Sequence, residues 1–276
     1  MKITIDECLS GSFKKESSDK PLIPRVIHQT HTLPLEELRP CFRAQINIVR
    51  TQNPTFEHRF YNDLQCEEFI KKRYGSEMFA VYNSINPEYG PARADLFRYL
   101  LLYADGGVYL DAKSGTSMPL ESIIADDDEY LISNWCHGKC GNKKECEGEC
   151  GRVNWEWLLN TGFGEYQQWW LACRPRHPFL LAVIHRCLAN IEAYKYDPCD
   201  KTTFGKEGVL NLTGPIAYTK AIFPIVSKYS HRFKTAAFGG KFVYSFGTDY
   251  GYEHVYEHVD GKTHYSKLTS PIVIHI

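Results

Sequence analysis

No run of apolar residues in this sequence approaches the ~20 that a bilayer crossing needs. The N-terminal MKITIDECLSGSFKKESSDK also lacks the apolar stretch of a signal peptide. A membrane span is therefore not expected, and a cytoplasmic location is. Neither sign of charge dominates: 32 Lys and Arg stand against 33 Asp and Glu, for a formal net charge of -1. The basic residues are spread along the chain, whereas a phosphate backbone demands a clustered basic field, so nucleic acid is excluded as the main partner. Internal repeats and long linkers are lacking too. So is the gathering of carboxylates and histidines at strand ends that a metal-dependent hydrolase would carry.

What is present fits an ordinary globular chain. Its 276 residues suffice to bury a substantial core, and its 43% hydrophobic and 24% charged content is typical of such proteins. Aromatics are abundant, with 18 Tyr, 15 Phe and 5 Trp. Flat rings serve sugar-handling sites, but composition alone favours an aromatic-rich core. Of the ten cysteines, Cys8, Cys41, Cys66, Cys173 and Cys187 stand singly in apolar or helical patterns and read as thiols in a reducing compartment. Cys199 lies in a loop.

Residues 1–20 are polar and Ser/Lys-rich, a loose arm before a single domain over 21–276. A buried strand is expected over 23–28, a helix over 39–50, a second strand at FEHRFYN, and a helix capped by Asp63 through Tyr74. Strand and helix alternating through short connections predict a mostly parallel α/β sheet.

GPARADLFRYLLLYADGGVYLDAKSG, residues 90–115, is the most informative segment. Pro91 suits a first helical turn. Leu96, Phe97, Leu100, Leu101 and Ala104 recur at helical spacing, with Asp95 and Arg98 on the neighbouring face. Gly106 and Gly107 end the helix, and Val108 to Leu110 form a short strand. Asp111 then stands at the strand's carboxyl end, where open α/β sheets bind ligands. A carboxylate placed there suits a phosphate-bound cation, and an Asp and Arg on the preceding helix can accept from and donate to hydroxyls. The bland alternative is a helical ion pair and a turn-capping aspartate, and spacing alone leaves the two open. Further strands are expected near Tyr130 and at QQWWLACR, a helix in HPFLLAVIHRCLANIEAYKY, a loop and helix at TGPIAYTKAIFPIVSKY, and several short strands in the tail.

IPRVIHQTH at 23–31 and ARADLFRYLLLYADGGVYLD at 92–111 carry a resemblance, extended weakly by QQWWLACRPRHPFL and NLTGP. Together they resemble the DXD sugar-binding region of glycosyltransferase family 32. The resemblance implies a GT-A fold, a Rossmann-like mostly parallel sheet with flanking helices and a small acceptor subregion. It implies retaining transfer of a hexose from a nucleotide-sugar donor, UDP-linked by preference and GDP-linked otherwise, to a glycan or other hydroxyl acceptor. It assigns Asp95 and Arg98 to the donor sugar and Asp111 to ribose, diphosphate or metal. His28 and Gln29 fall to the nucleotide pocket, and Asn211, Gly214 and Pro215 to a loop near the sugar. It also implies Mn²⁺ or Mg²⁺ held by Asp111, with His258 of the tail as a second ligand. One departure stands out: the motif reads Asp111-Ala112-Lys113. Lys113 can neutralise the diphosphate as a point charge, can leave the metal weakly held, or can mark a donor-binding protein that no longer turns over.

The insert at 136–150, CHGKCGNKKECEGEC, holds Cys136, Cys140, Cys146 and Cys150. A structural Zn²⁺, two local disulfides and a loose loop all remain open for it.

Overall fold

The computed structural model describes residues 21–134, 154–161, 164–244 and 263–274. The N-terminal arm, the cysteine insert with Cys136, Cys140, Cys146 and Cys150, and His258 lie outside the described residues.

The chain begins with β1 (Val26–Thr30), α1 (Pro40–Gln52), β2 (Glu57–Tyr61), α2 (Asp63–Ser84), α3 (Gly90–Asp105) and β3 (Gly107–Leu110). It continues through β4 (Gly115–Thr116), β5 (Tyr130–Ile132), β6 (Trp170–Cys173), α4 (Pro178–Glu192), α5 (Gly205–Leu212) and α6 (Pro215–Ile222). Then follow β7 (Arg232–Phe233), α7 (Thr235–Gly240) and β8 (Phe242–Val243). Six strands form one sheet in the order β2-β1-β3-β6-β5-β7, and β4 pairs with β8 in a separate ribbon. Parallel pairing joins β2, β1 and β3, while β6 runs antiparallel to both β3 and β5. β5 and β7 are parallel again, so β6 alone opposes the rest.

β3, β5 and β6 are buried along their whole length, as expected of strands covered on both faces. The pleat divides their side chains. Tyr109, Leu171 and Cys173 join the core formed with α2, α3 and α4, which includes Phe97, Leu101, Phe179 and Ile184. Val108, Leu110, Trp170 and Ala172 join the opposite core with Ile27, Val49, Phe238 and Phe242. Trp170 stacks on Phe242 with centroids 3.7 Å apart, which holds the tail ribbon against the sheet.

Several expectations shift. β1 starts three residues later and ends two later than read, because Pro24 has no N–H to donate and pairing begins only at Val26↔Glu57. Asn62, not Asp63, caps α2. Its side chain accepts from the Gln65 N–H while the Gln65 side chain accepts from the Asn62 N–H. That helix is two segments joined at Gly75, whose φ is 80°. Among the described tail residues, β7, β8 and one bridge between Val273 and Ile85 are the only extended pairings. The helical run Gly205–Lys228 is long and apolar enough to cross a membrane by length and composition, yet 56% of its most apolar stretch is buried within this fold. Cys66, Cys173 and Cys187 are buried, Cys41 is half-buried and Cys199 is exposed.

The turn from α3 into β3 is the tightest passage. Gly106 and Gly107 have φ of 66° and 100°, which L side chains rarely adopt. A Cβ on Gly107 would stand 2.7 Å from the Val26 carbonyl oxygen, and one on Gly106 2.6 Å from Pro175 Cδ. At Gly75, by contrast, a Cβ would meet nothing within 4 Å. Gly75→Ala is therefore expected to cost about 1–3 kcal/mol, the backbone share alone. Gly107→Ala should cost clearly more, because Val26 must also move. Urea unfolding of the two variants checks this, and equal losses would show that the close approach is unimportant.

Candidate functional site

The carboxyl ends of β1, β2 and β3 open on a cavity of about 980 Å³. That size lies near the upper end for small-molecule sites (about 300–1,000 Å³). Thr32 and Leu33 follow β1, Asp63 follows β2, and Asp111 and Lys113 follow β3 on its walls. Asp95 and Arg98 reach it from α3, and Gln168 and Trp169 from the approach to β6. The parallel part of the sheet thus places a cavity where open α/β sheets take ligands.

At its centre is Arg98, 4% exposed. Its Nη2 lies 3.2 Å from Asp95 Oδ1 and its Nη1 3.2 Å from Asp111 Oδ1. Nη1 also donates to the Gln168 carbonyl oxygen at 2.8 Å and Nε to that of Ala94 at 3.2 Å. The guanidinium lies over the Tyr109 ring, 4.5 Å from its centre. Burial works against this charge, but Tyr109, Asp111 and Asp95 outweigh it and hold Arg98 above its ordinary value.

Asp95 is fully enclosed, and both its oxygens are engaged. Oδ1 accepts from Gln168 Nε2 at 3.0 Å and Oδ2 from Thr213 Oγ1 at 3.2 Å. Burial raises its carboxyl to about 6, with Arg98 and these donors pulling the other way. Asp111 is a quarter exposed at its side chain and faces the cavity. Its Oδ1 also accepts from the Tyr109 hydroxyl at 3.4 Å, and Thr30 Oγ1 lies 2.9 Å from that hydroxyl. The ion pair expected at Asp95 and Arg98 is therefore no surface pair: it is buried, and it includes Asp111.

Other expected site residues fall elsewhere. His28 is wholly buried behind β3, with Nε2 3.1 Å from the Gly106 carbonyl oxygen and Nδ1 3.4 Å from the Tyr61 hydroxyl. Burial lowers its imidazole to about 3, so it is a neutral core residue that braces the glycine turn. Gln29 is also buried. Its Nε2 donates to the Asp111 carbonyl oxygen at 3.3 Å, and its Oε1 sits 2.8 Å from His58 Nε2, so it positions the Asp111 backbone from outside the cavity. Because β1 runs on to Thr30, Thr32 and Leu33 take the cavity place read for His28 and Gln29. Asn211 donates to the Glu207 carbonyl oxygen of its own helix. Gly214 is packed at the α5–α6 corner, where a Cβ would stand 2.8 Å from Leu210 Cα. Pro215, one residue on, reaches the cavity.

Gln168 and Thr213 were missed as site residues. Thr213 sits inside the NLTGP segment between the residues chosen, and Gln168 inside QQWW. Gln168 Oε1 is a buried acceptor that no donor among the described residues meets, and the residue lines the cavity. A ligand hydroxyl there would satisfy it.

As for a divalent cation, no group of three or more His, Cys, Asp or Glu side chains is placed to hold one among the described residues. Asp111 is the motif carboxylate at hand, with Oδ1 shared between Arg98 and Tyr109. That donor set does not amount to a resident cation site among the described residues.

Residues 41–130 match the family described as "Glycosyltransferase sugar-binding region containing DXD motif". The chain is 27% identical over 229 residues to the initiation-specific α-1,6-mannosyltransferase of Candida albicans, covering 80% of this chain and 57% of that protein. To the enzyme of the same name in Schizosaccharomyces pombe it is 26% identical, covering 72% and 48%. It thus spans about half the length of these curated relatives. Among solved structures, the PaToxG glycosyltransferase superposes with a TM-score of 0.51 at 15% identity, covering 74% of this chain and 70% of that one. The mostly parallel sheet and its flanking helices are those of a GT-A fold, as the resemblance implied.

Removing Arg98 would leave two carboxylates facing each other in a dry site. Arg98→Met is expected to destabilise by about 3–5 kcal/mol. The double variant Asp95→Asn/Arg98→Met should lose less than the sum of its single variants. Denaturant unfolding measures both, and a loss near that of an exposed pair, about 0–1 kcal/mol, would refute the buried trio.

Proposed function

We propose that this chain, which carries the DXD glycosyltransferase sugar-binding region on a GT-A fold, transfers a hexosyl group from a nucleoside diphosphate hexose to a hydroxyl acceptor. The observation that carries the reading is the Asp95–Arg98–Asp111 trio, fixed at the carboxyl end of β3 and open to one cavity. Arg98 and Asp95 are buried and held by several protein contacts each. Such fixed charge and dipoles orient a sugar without reorganising during reaction. Gln168 adds an acceptor with an unmet lone pair for a sugar hydroxyl. Asp111 and Lys113 face the diphosphate end, and Thr32 and Leu33 the nucleoside end. The curated relatives named as mannosyltransferases make a mannosyl donor the first to test.

The engagement of Asp95 supports a reading of retention. Asp95 is committed through both oxygens to Gln168, Thr213 and Arg98, so it is not a free nucleophile behind the anomeric carbon. On this reading the acceptor hydroxyl attacks on the face the phosphate leaves. Its oxygen forms the new bond to the anomeric carbon as the bond from that carbon to the phosphate oxygen breaks. The acceptor's proton passes to the departing phosphate. Lys113 in the motif favours one competing reading, a protein that binds the donor without turning it over, and turnover separates the two.

A thermal-shift panel of UDP- and GDP-hexoses on wild type and Asp111→Asn tests the donor site. A ligand at 100 times its dissociation constant stabilises by about 2.7 kcal/mol. One nucleotide class should raise the melting temperature of wild type and leave Asp111→Asn unmoved; no shift with any donor would sink the proposal. For the chemistry, NMR of the product from an α-linked donor should show an α linkage. A β linkage would overturn same-face attack.

A further inference from the structure

The residue two places after Asp111, where a DXD sequence has its second carboxylate, is an ammonium, Lys113. The fold settles where that ammonium lies. β4 and β8 pair at Gly115↔Val243 and Thr116↔Phe242, which returns Tyr244 to the side of Lys113. Ser114 Oγ donates to the Tyr244 carbonyl oxygen at 2.6 Å, and Lys113 Nζ stands 4.3 Å from the centre of the Tyr244 ring. Tyr244 is packed edge-on against Trp169, with centroids 5.2 Å apart. Lys113, Tyr244 and Trp169 thus form one stretch of the wall of the cavity that Asp111 faces.

Two further basic side chains reach this cavity from other elements, Lys206 at the start of α5 and His264 of the tail. They are electrostatic neighbours. Burial lowers the His264 imidazole, and the ammonium groups of Lys113, Lys267 and Lys206 push the same way. Like charge gathered at one wall is relieved by a bound anion. Asp63 also lies on the cavity wall, and the other four carboxylates there are engaged within the chain. Asp95 and Asp111 share Arg98, Glu165 accepts from Asn154, and Glu88 accepts from Ser270 Oγ and Asn86 Nδ2. The trio sets two carboxyl groups against one guanidinium. A diphosphate entering beside Asp111 therefore meets repulsion that a cation must offset.

Granted the donor site proposed above, we infer that this chain neutralises the donor diphosphate with its own side chains, Lys113 foremost and Lys206 beside it, where a DXD pair would use a divalent ion. Lys113 acts as a compact charge on a flexible stem, steered by the Tyr244 ring so that it can follow the phosphate as the bond to the sugar breaks.

Calorimetric titration of UDP and of GDP, each with EDTA or with Mn²⁺, tests this on wild type and three variants. Wild type should bind one nucleotide in EDTA, with Mn²⁺ tightening it less than threefold. Lys113→Gln should bind at least tenfold more weakly in either buffer, and Lys113→Arg should stay within a few-fold of wild type. Lys113→Asp, which restores a second carboxylate after Asp111, should bind only with Mn²⁺. Wild-type binding lost in EDTA and restored by Mn²⁺ would overturn the inference while leaving the donor site intact. So would a Lys113→Gln variant that binds like wild type. Binding of neither nucleotide in any buffer would remove the donor site itself, and this inference with it.

Discussion

A guanidinium taken almost fully out of water has to be surrounded by acceptors and countercharge, and most of what is particular to this fold follows from meeting that demand at Arg98. One carboxylate comes from the same helix a turn earlier, and the other from the end of the next strand. For the second to arrive, the chain must leave α3, reverse through a passage with no room for a Cβ, and enter β3 at once. Tyr109 then lies under the guanidinium with its hydroxyl held near Thr30 of the neighbouring strand. Helix, turn, strand and sheet register are thus tied to one charge. Such an arrangement is strongly destabilised when any member is lost, because what remains is a buried, uncompensated ion.

The reversed strand β6 completes the arrangement. A parallel strand in that place would bring its carboxyl end to the cavity. Running the other way, β6 brings its amino-terminal approach there, so the Trp169 carbonyl oxygen accepts from the Asp111 N–H at 2.9 Å. The Gln168 carbonyl oxygen meets Arg98, and the Gln168 amide meets Asp95. The single antiparallel member of the sheet therefore supplies the third side of a site whose other two sides come from α3 and β3.

How far this could be read from the sequence depended on the range of the interaction. The helix from Gly90, its glycine stop, the short strand and Asp111 at its end all rest on local rules of spacing and turn chemistry, and the structure has them where they were expected. Asp63 was read as the cap of α2 because it is a good capping residue, but Asn62 one place earlier can also trade bonds with Gln65. His28 and Gln29 looked like strand-end residues because β1 was placed too early. In the fold they brace the glycine turn and the Asp111 backbone. Gln168 and Thr213 contact Asp95 across 73 and 118 residues of chain, and no periodicity reports a contact of that kind. The burial of the ion pair was equally hidden, since i,i+3 spacing is the same on a wet helix face as on a dry one.

The cavity's two ends make different physical demands, and the chain answers them with different materials. A neutral sugar gains from groups that do not move, because specificity among hydroxyls depends on fixed hydrogen-bond directions, and the trio with Gln168 is fixed by burial and by bonds on every side. A diphosphate that becomes a leaving group changes its charge distribution as the reaction proceeds, so it gains from charge that can follow it. Lys113 suits that end: it is half-buried, its ammonium sits over an aromatic ring, and it has no planar fork to satisfy. Replacing a carboxylate by an ammonium at the end of β3 therefore need not silence the site. On the reading proposed above, it exchanges a ligand for an external cation for a cation built into the wall, while the buried contacts of α3, β3 and the approach to β6 are left untouched.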